Sequence, residues 1–96
     1  METNTMTQDA KSYAFVLGRL TARKHIAEST KRYDIKARID DALSCIFEDI
    51  ADHPEYFAIL NACLQVRNER MTSLGYTYSQ DTETYLTADE WNAYYG

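Results

Sequence analysis

His25, His53, Cys45 and Cys63 are the residues of this 96-residue chain whose types could support nucleophilic or metal chemistry. Their surroundings point away from it. His25 follows Arg23 and Lys24, and like charge lowers the pKa of an imidazole. His53 stands four residues after Asp49, a spacing at which two side chains of one helix can share a metal ion. The helix carrying Asp49 is expected to end before His53, which leaves a solvent-exposed turn histidine and no metal site. Cys45 and Cys63 fall on apolar stripes, where a thiol stays protonated and inert. They read as two buried thiols, with a disulfide across a helical hairpin as the alternative. The chain has no Gly-rich phosphate loop and no Gly-flanked serine. It reads as a non-enzyme without a cofactor.

Charge and aromatic residues offer binding instead. The net charge is −5, and residues 1–38 hold eight of the ten Lys and Arg. Such segregation suggests an oriented surface for a charged partner, or two halves that face each other. Arg19, Arg23, Lys24, Lys31 and Arg32, with Lys36 and Arg38 nearby, surround Tyr33. That mixture of cations and an aromatic suits single-stranded nucleic acid, an acidic protein surface, or plain solvent. Asp40, Asp41, Glu48, Asp49, Asp52 and Glu55 line the outer side of a helix and its exit. Spaced carboxylates on a rigid helix can occupy a cationic groove meant for nucleic acid, or serve solubility alone. Five of the eight tyrosines and the only tryptophan lie in the last 21 residues. Tyr76, Tyr78, Trp91, Tyr94 and Tyr95 have the composition of an interface hot spot. They could equally cover, with Tyr85, the open end of a helical core.

The elements that must position these groups are helical. Ile35, Ile39, Leu43, Ile46, Phe47 and Ile50 recur at steps of three and four. Phe57, Leu60, Cys63, Leu64, Arg67, Met71 and Leu74 follow nearly the same rhythm. The turn at Asp52-His53-Pro54 is short, so these two helices should lie antiparallel, stripe to stripe. Asp52 and Glu55 have capping-box spacing, and Asp34 is expected to cap the helix before them. An earlier helix runs from Gln8 to about Glu28 with the stripe Tyr13, Val16, Leu17, Leu20 and Ala27, and Thr7 or Asp9 can cap it. Gly18 inside it costs ~1 kcal/mol relative to alanine, which a close backbone approach would explain. Gly75 is placed to end the third helix. Tyr76, Thr77, Tyr78 and Ser79 favour extended backbone, and residues 79–84 read as a polar loop. Thr87 and Glu90 then form a capping box before a short helix over 88–95, with Leu86 and Trp91 as its staple.

The expected fold is all-α: a three-helix antiparallel bundle with a tyrosine-rich extended segment and a short C-terminal helix. Residues 1–7 are expected to be a flexible tail and 8–96 a single helical domain. Composition, 45% hydrophobic and 26% charged, is ordinary for a soluble globular protein. No apolar run approaches the ~20 residues that span a bilayer, and the N-terminal residues lack a signal-peptide core. A cytoplasmic location and no membrane partner follow as expectations.

Two segments resemble one family. Residues 12–22, Ser-Tyr-Ala-Phe-Val-Leu-Gly-Arg-Leu-Thr-Ala, resemble a tyrosine-, leucine- and Gly-Arg-Leu-bearing helix in the C-terminal region of the type I-C CRISPR large subunit. Residues 86–96, Leu-Thr-Ala-Asp-Glu-Trp-Asn-Ala-Tyr-Tyr-Gly, resemble that family's terminal helix. The resemblance implies a helical bundle, also made separately as a small subunit, that lines the effector's nucleic-acid path. It would turn Arg19 and Arg23 towards nucleic acid. This chain departs from the pattern by being shorter and acidic after residue 38. An acidic relative could imitate the subunit and block assembly, as phage-encoded anti-CRISPR proteins do. The function expected first is therefore stoichiometric protein binding, in the form of an anti-CRISPR-like inhibitor of a nucleic-acid-handling complex, as monomer or dimer. A nucleic-acid-binding small subunit and an antitoxin-like structural partner are the alternatives.

Overall fold

The computed structural model describes residues 6–96. Its order is α1 (Gln8–Ser29), α2 (Tyr33–Ile50), α3 (Tyr56–Ser73), β1 (Thr77–Ser79), β2 (Thr84–Leu86) and α4 (Ala88–Tyr95). The protein is mainly α, as its periodicities require. No helix among the described residues is long and apolar enough to cross a membrane.

Of the expected tail, residues 1–5 lie outside the described part. Thr7 is fixed in place. Its hydroxyl accepts the Ala10 N–H at 3.2 Å, capping α1, and donates to Glu55 Oε1 at 2.7 Å. That second bond ties the start of α1 to the start of α3. Gly18 meets α3 near Cys63 and Val66, and Ala22 shares a buried cluster with Met71. α1 and α3 therefore run parallel. α2 runs against α1, as the pairs Lys24–Asp40 and Glu28–Lys36 show.

The centre of the fold is α1. It packs closely against α3 and then α2, whereas α2 and α3 make almost no close backbone approach to each other. The expected stripe-to-stripe contact of α2 with α3 is thus replaced by two contacts with α1. The reason is visible along α1. Ala10, Ala14, Gly18 and Ala22, four residues apart, form one line of small side chains, and all four are buried. A Cβ on Gly18 would come within 2.8 Å of the Cys63 carbonyl oxygen and closer still to the Val66 side chain. The missing side chain lets the two backbones approach, which answers the question Gly18 poses in the sequence.

This docking selects an unexpected side of α3. Ile59 and Cys63 enter the main core with Leu17, Ile39, Leu43 and Ile50. Phe57, expected in the core, is 77% exposed, and Leu64 and Leu74 are also exposed. Val16 on α1 and Phe47 on α2 likewise leave the expected core. α3 carries apolar residues over a wide arc, Phe57, Leu60 and Leu64 beside Ile59, Cys63 and Val66, so periodicity alone does not choose its buried face.

The ends of the helices divide in the same way. Thr87 and Glu90 form the expected capping box of α4. Gly75, at φ 90°, closes α3 with its N–H on the Thr72 carbonyl and the Tyr76 N–H on the Met71 carbonyl. Asp34 does not cap α2; it lies in the first turn, bonded to Arg32 at 3.4 Å. Asp52 and Glu55 form no capping box, because α3 starts only at Tyr56 and Glu55 is committed to Thr7. Residues expected as a loop, Thr84 among them, pair instead as an antiparallel hairpin, Tyr78 opposite Tyr85.

Candidate interaction surfaces

Of the residues with chemical potential, His25, His53 and Cys63 pack within the structure. Cys63 is buried; burial pushes its thiol pKa up, against the pull of a hydrogen bond with Thr21 and the charge of Arg67. Cys45 is exposed rather than buried, because it faces away from α1 on the outer side of α2, and both thiols are free. His53 is half-buried rather than exposed. Its Nδ1 accepts the Glu55 N–H at 2.9 Å, which leaves the proton on Nε2, 3.1 Å from Asp9 Oδ2. The imidazole thus clamps the α2–α3 turn onto the start of α1, edge-on to Tyr13. No group of three potential metal ligands occurs among the described residues.

The acidic set separates into parts. Asp40 is not a free carboxylate: it sits 2.8 Å from Lys24 and 3.2 Å from Lys36. Hydrogen bonds from Lys24 and then Lys36 hold its carboxyl below the usual range. Asp41, Glu48, Asp49 and Asp52 are exposed, with no ion pair among the described residues. Glu48 and Asp49 in the last turn of α2, and Asp52 just beyond it, lie at the end that meets Asp9 through His53.

The basic set also divides. Lys24 and Arg32 are spent on Asp40 and Asp34. Lys31 closes α1 at φ 60° with its side chain exposed. Arg19 lies 5.3 Å from the Phe15 ring centre, beside a hollow lined by Phe15, Arg19, Val66, Glu69, Arg70 and Ser73. Arg23 lies further along α1, at a second hollow with Ile26 and Ile35.

The aromatic set is the best ordered. Tyr85 is buried between α1 and α3 with Ala22 and Met71, edge-on to His25. Its hydroxyl donates to Asn68 Oδ1 and accepts from Arg67 Nε at 3.1 Å. Tyr76 is half-buried against the same cluster. Tyr78 stacks edge-on to Tyr85 from the outside. Trp91 and Tyr94 both pack on Tyr95, with ring centres 4.4 and 4.9 Å away. Tyr95 donates to Asp81 Oδ2 at 2.8 Å and meets Ser79 Oγ at 2.5 Å, and that hydroxyl also accepts the Thr82 N–H. Tyr78, Tyr94 and Tyr95 remain open to solvent, yet each touches another ring.

The structure does not unite the α2 acids with these rings. His53 contacts Asp9, whereas the Tyr85 ring contacts His25. Sixteen residues of one helix separate the two points, roughly 24 Å at ~1.5 Å per residue. Other acids accompany the rings: Asp81, Glu83, Asp89 and Glu90 belong to the hairpin and α4, and no Lys or Arg follows Arg70. The sequence signal for them was that missing base, overlooked beside the longer acidic run of α2.

Comparison of the chain with family models, with curated proteins and with solved structures gives no match. The resemblance to the type I-C large subunit receives neither support nor contradiction from them.

Proposed function

We propose that this chain acts without chemistry, by stoichiometric binding to another protein, and that its contact surface is the acidic aromatic end built by the hairpin and α4. The observation that carries this reading is the set of exposed rings, Tyr78, Tyr94 and Tyr95, held in place by stacking and by the Ser79–Tyr95–Asp81 hydrogen bonds. Ordering a side chain at an interface costs about 0.5–1.5 kcal/mol each; rings already fixed avoid most of that cost. Asp81, Glu83, Asp89 and Glu90 around them favour a basic, partly apolar partner surface, the type found where a protein holds nucleic acid. The narrower form of the proposal is an anti-CRISPR-like inhibitor of such a complex. It draws on the resemblance at residues 12–22 and 86–96.

A type I-C effector mixed with equimolar chain is expected to lose target-DNA binding, and the Tyr78→Ala/Tyr94→Ala variant to restore it. Full DNA binding at a large excess of the chain would remove the inhibitor form. A second reading has one observation in its favour: Arg19 and Arg23 stand without acidic partners among the described residues, with Phe15 beside Arg19. It is tested by fluorescence anisotropy with single-stranded DNA and RNA at two salt concentrations. Binding that falls linearly in log salt, and that Arg19→Ala/Arg23→Ala abolishes, would favour nucleic acid.

A further inference from the structure

The structure holds two separate buried clusters. The main one runs from Ala10 of α1 to Cys63 of α3 and takes in no residue beyond Cys63. The second joins Tyr85 of the hairpin to Ala22 and Met71, with Ile26 and Tyr76 at its edge. Residues 77–96 are fastened to the helices at this second cluster. Among the described residues, every hydrogen bond and ring contact between 77–96 and α1 or α3 is made by Tyr85. Its hydroxyl meets Arg67 and Asn68, and its ring meets Arg67 and His25.

Inside, the same segment is tied to itself. β1 pairs with β2, Tyr95 bonds to Ser79 and Asp81, and Tyr78 stacks on Tyr85. No residue of α4 is buried. The hairpin and α4 therefore form one block held by one side chain, and that side chain can withdraw without opening the main core.

His25 stands beside it. The two ring centres are 5.3 Å apart, edge-on, and the imidazole is half-buried. The Arg67 guanidinium lies 5.4 Å from the same Tyr85 ring. The other charged groups about the imidazole are Lys24 and Glu28, on its own helix. A proton on His25 would add a third cation to Arg67 and Lys24, with one carboxylate to offset them and part of the ring out of water. We propose that protonation of His25 in mild acid undocks residues 77–96 from the helices as one block.

The direction follows from linkage. With Tyr85 docked, burial and then Arg67 hold the His25 pKa below 6.5, Glu28 opposing and Lys24 adding to the fall. Withdrawal of Tyr85 returns the imidazole to water, where it takes up a proton more readily. Docking is at full strength above about pH 6.5 and weakens as pH falls below it. Attraction of an imidazolium to the Tyr85 ring opposes this, but that ring already faces Arg67. The undocking does not depend on the proposed function, and its test uses no partner.

Hydrogen exchange on the whole chain, read as protection factors at about pH 7.5 and about pH 5.5, tests it. Protection over 77–95 is expected to fall about threefold or more in acid, while that of α2 holds. His25→Gln, which has no titrating proton, should abolish the fall. A second measurement leaves His25 in place: by NMR it is expected to titrate at a lower pH in the wild type than in Tyr85→Ala, where the block is already released. Equal protection over 77–95 at the two pH values overturns the proposal. So does a loss spread evenly over all the helices, a fall that His25→Gln retains, or one His25 midpoint shared by the wild type and Tyr85→Ala.

Discussion

With Glu83 at φ 55°, Lys31 is one of two described residues other than glycine whose backbone is left-handed. At φ 60° it ends α1, its N–H on the Glu28 carbonyl and the next N–H, of Arg32, on the Ala27 carbonyl. A residue with a Cβ in the left-handed region costs about 1–2 kcal/mol. Lys31→Gly is expected to raise stability by about 1 kcal/mol, read as a higher denaturation midpoint at unchanged slope. Gly75 already does the same work for α3 at φ 90°. Gly18 predicts the opposite sign. An alanine there gains ~1 kcal/mol of helix propensity, but its methyl overlaps the Val66 side chain and the Cys63 carbonyl. Overpacking at about 1–3 kcal/mol should prevail, with a lower melting temperature for Gly18→Ala. The backbone demand at Lys31 is not readable in the sequence, because a lysine gives no warning. Gly18 did give one, because a glycine in a good helix needs a reason.

At the scale of elements, the hairpin and α4 are fastened to the helices chiefly through Tyr85. Tyr85→Ala should cost about 3–5 kcal/mol and raise amide exchange across residues 77–95 more than in α2. Tyr85→Phe leaves Arg67 and Asn68 without the hydroxyl and should cost about 1–3 kcal/mol. The fastening is also sensitive to pH. His25 packs edge-on to Tyr85; burial lowers its pKa first, then Arg67, with Glu28 opposing and Lys24 adding to the fall. The docked form therefore takes up the proton less readily than a free histidine of pKa 6.5. Stability from this site is fully present above about pH 6.5 and is lost as pH falls below it. His25→Phe, which keeps a ring on Tyr85, should remove that part of the pH dependence of thermal unfolding between pH 7.5 and 5.5. The short helix α4 was legible because its capping box is local: Thr87, Glu90 and the backbone between them settle it. The hairpin was not, since Thr84 and its neighbours are polar and take strand form only by pairing with 77–79.

The whole molecule is a flat layer, with Cα extents of 44 × 37 × 20 Å. Flatness leaves large apolar side chains in water on more than one face, Phe15 and Phe57 among them, and it spreads charge over separate regions. Charge reversal separates what holds the layer together from what is free to bind. Asp40→Lys would set a third cation against Lys24 and Lys36 and is expected to lower the melting temperature. Asp41→Lys, at an exposed position with no ion pair among the described residues, should leave it within about 0.5 kcal/mol of wild type. A combined reversal of Asp40, Asp41 and Asp49 therefore tests folding as much as binding. Reversal of Glu83 and Asp89, exposed in the hairpin turn and α4 that carry the fixed rings, is the cleaner probe of the proposed partner surface, and binding should weaken without loss of fold.

The sequence alone determined what depends on neighbours in the chain. That four helices form, in this order, follows from apolar spacing and from signals within a few positions of each other, Thr7, Gly75, Thr87 and Glu90 among them. Only the tertiary structure decided which face of α3 is core. Its apolar residues cover a wide arc, and the line Ala10, Ala14, Gly18 and Ala22 lets the side with Cys63 and Val66 approach most closely. It also decided that Asp40 is structural while Asp41 is exposed without an ion pair, and that Tyr95 bonds to Asp81. Such pairings join residues far apart in the chain, and their distances are set by how helices pack.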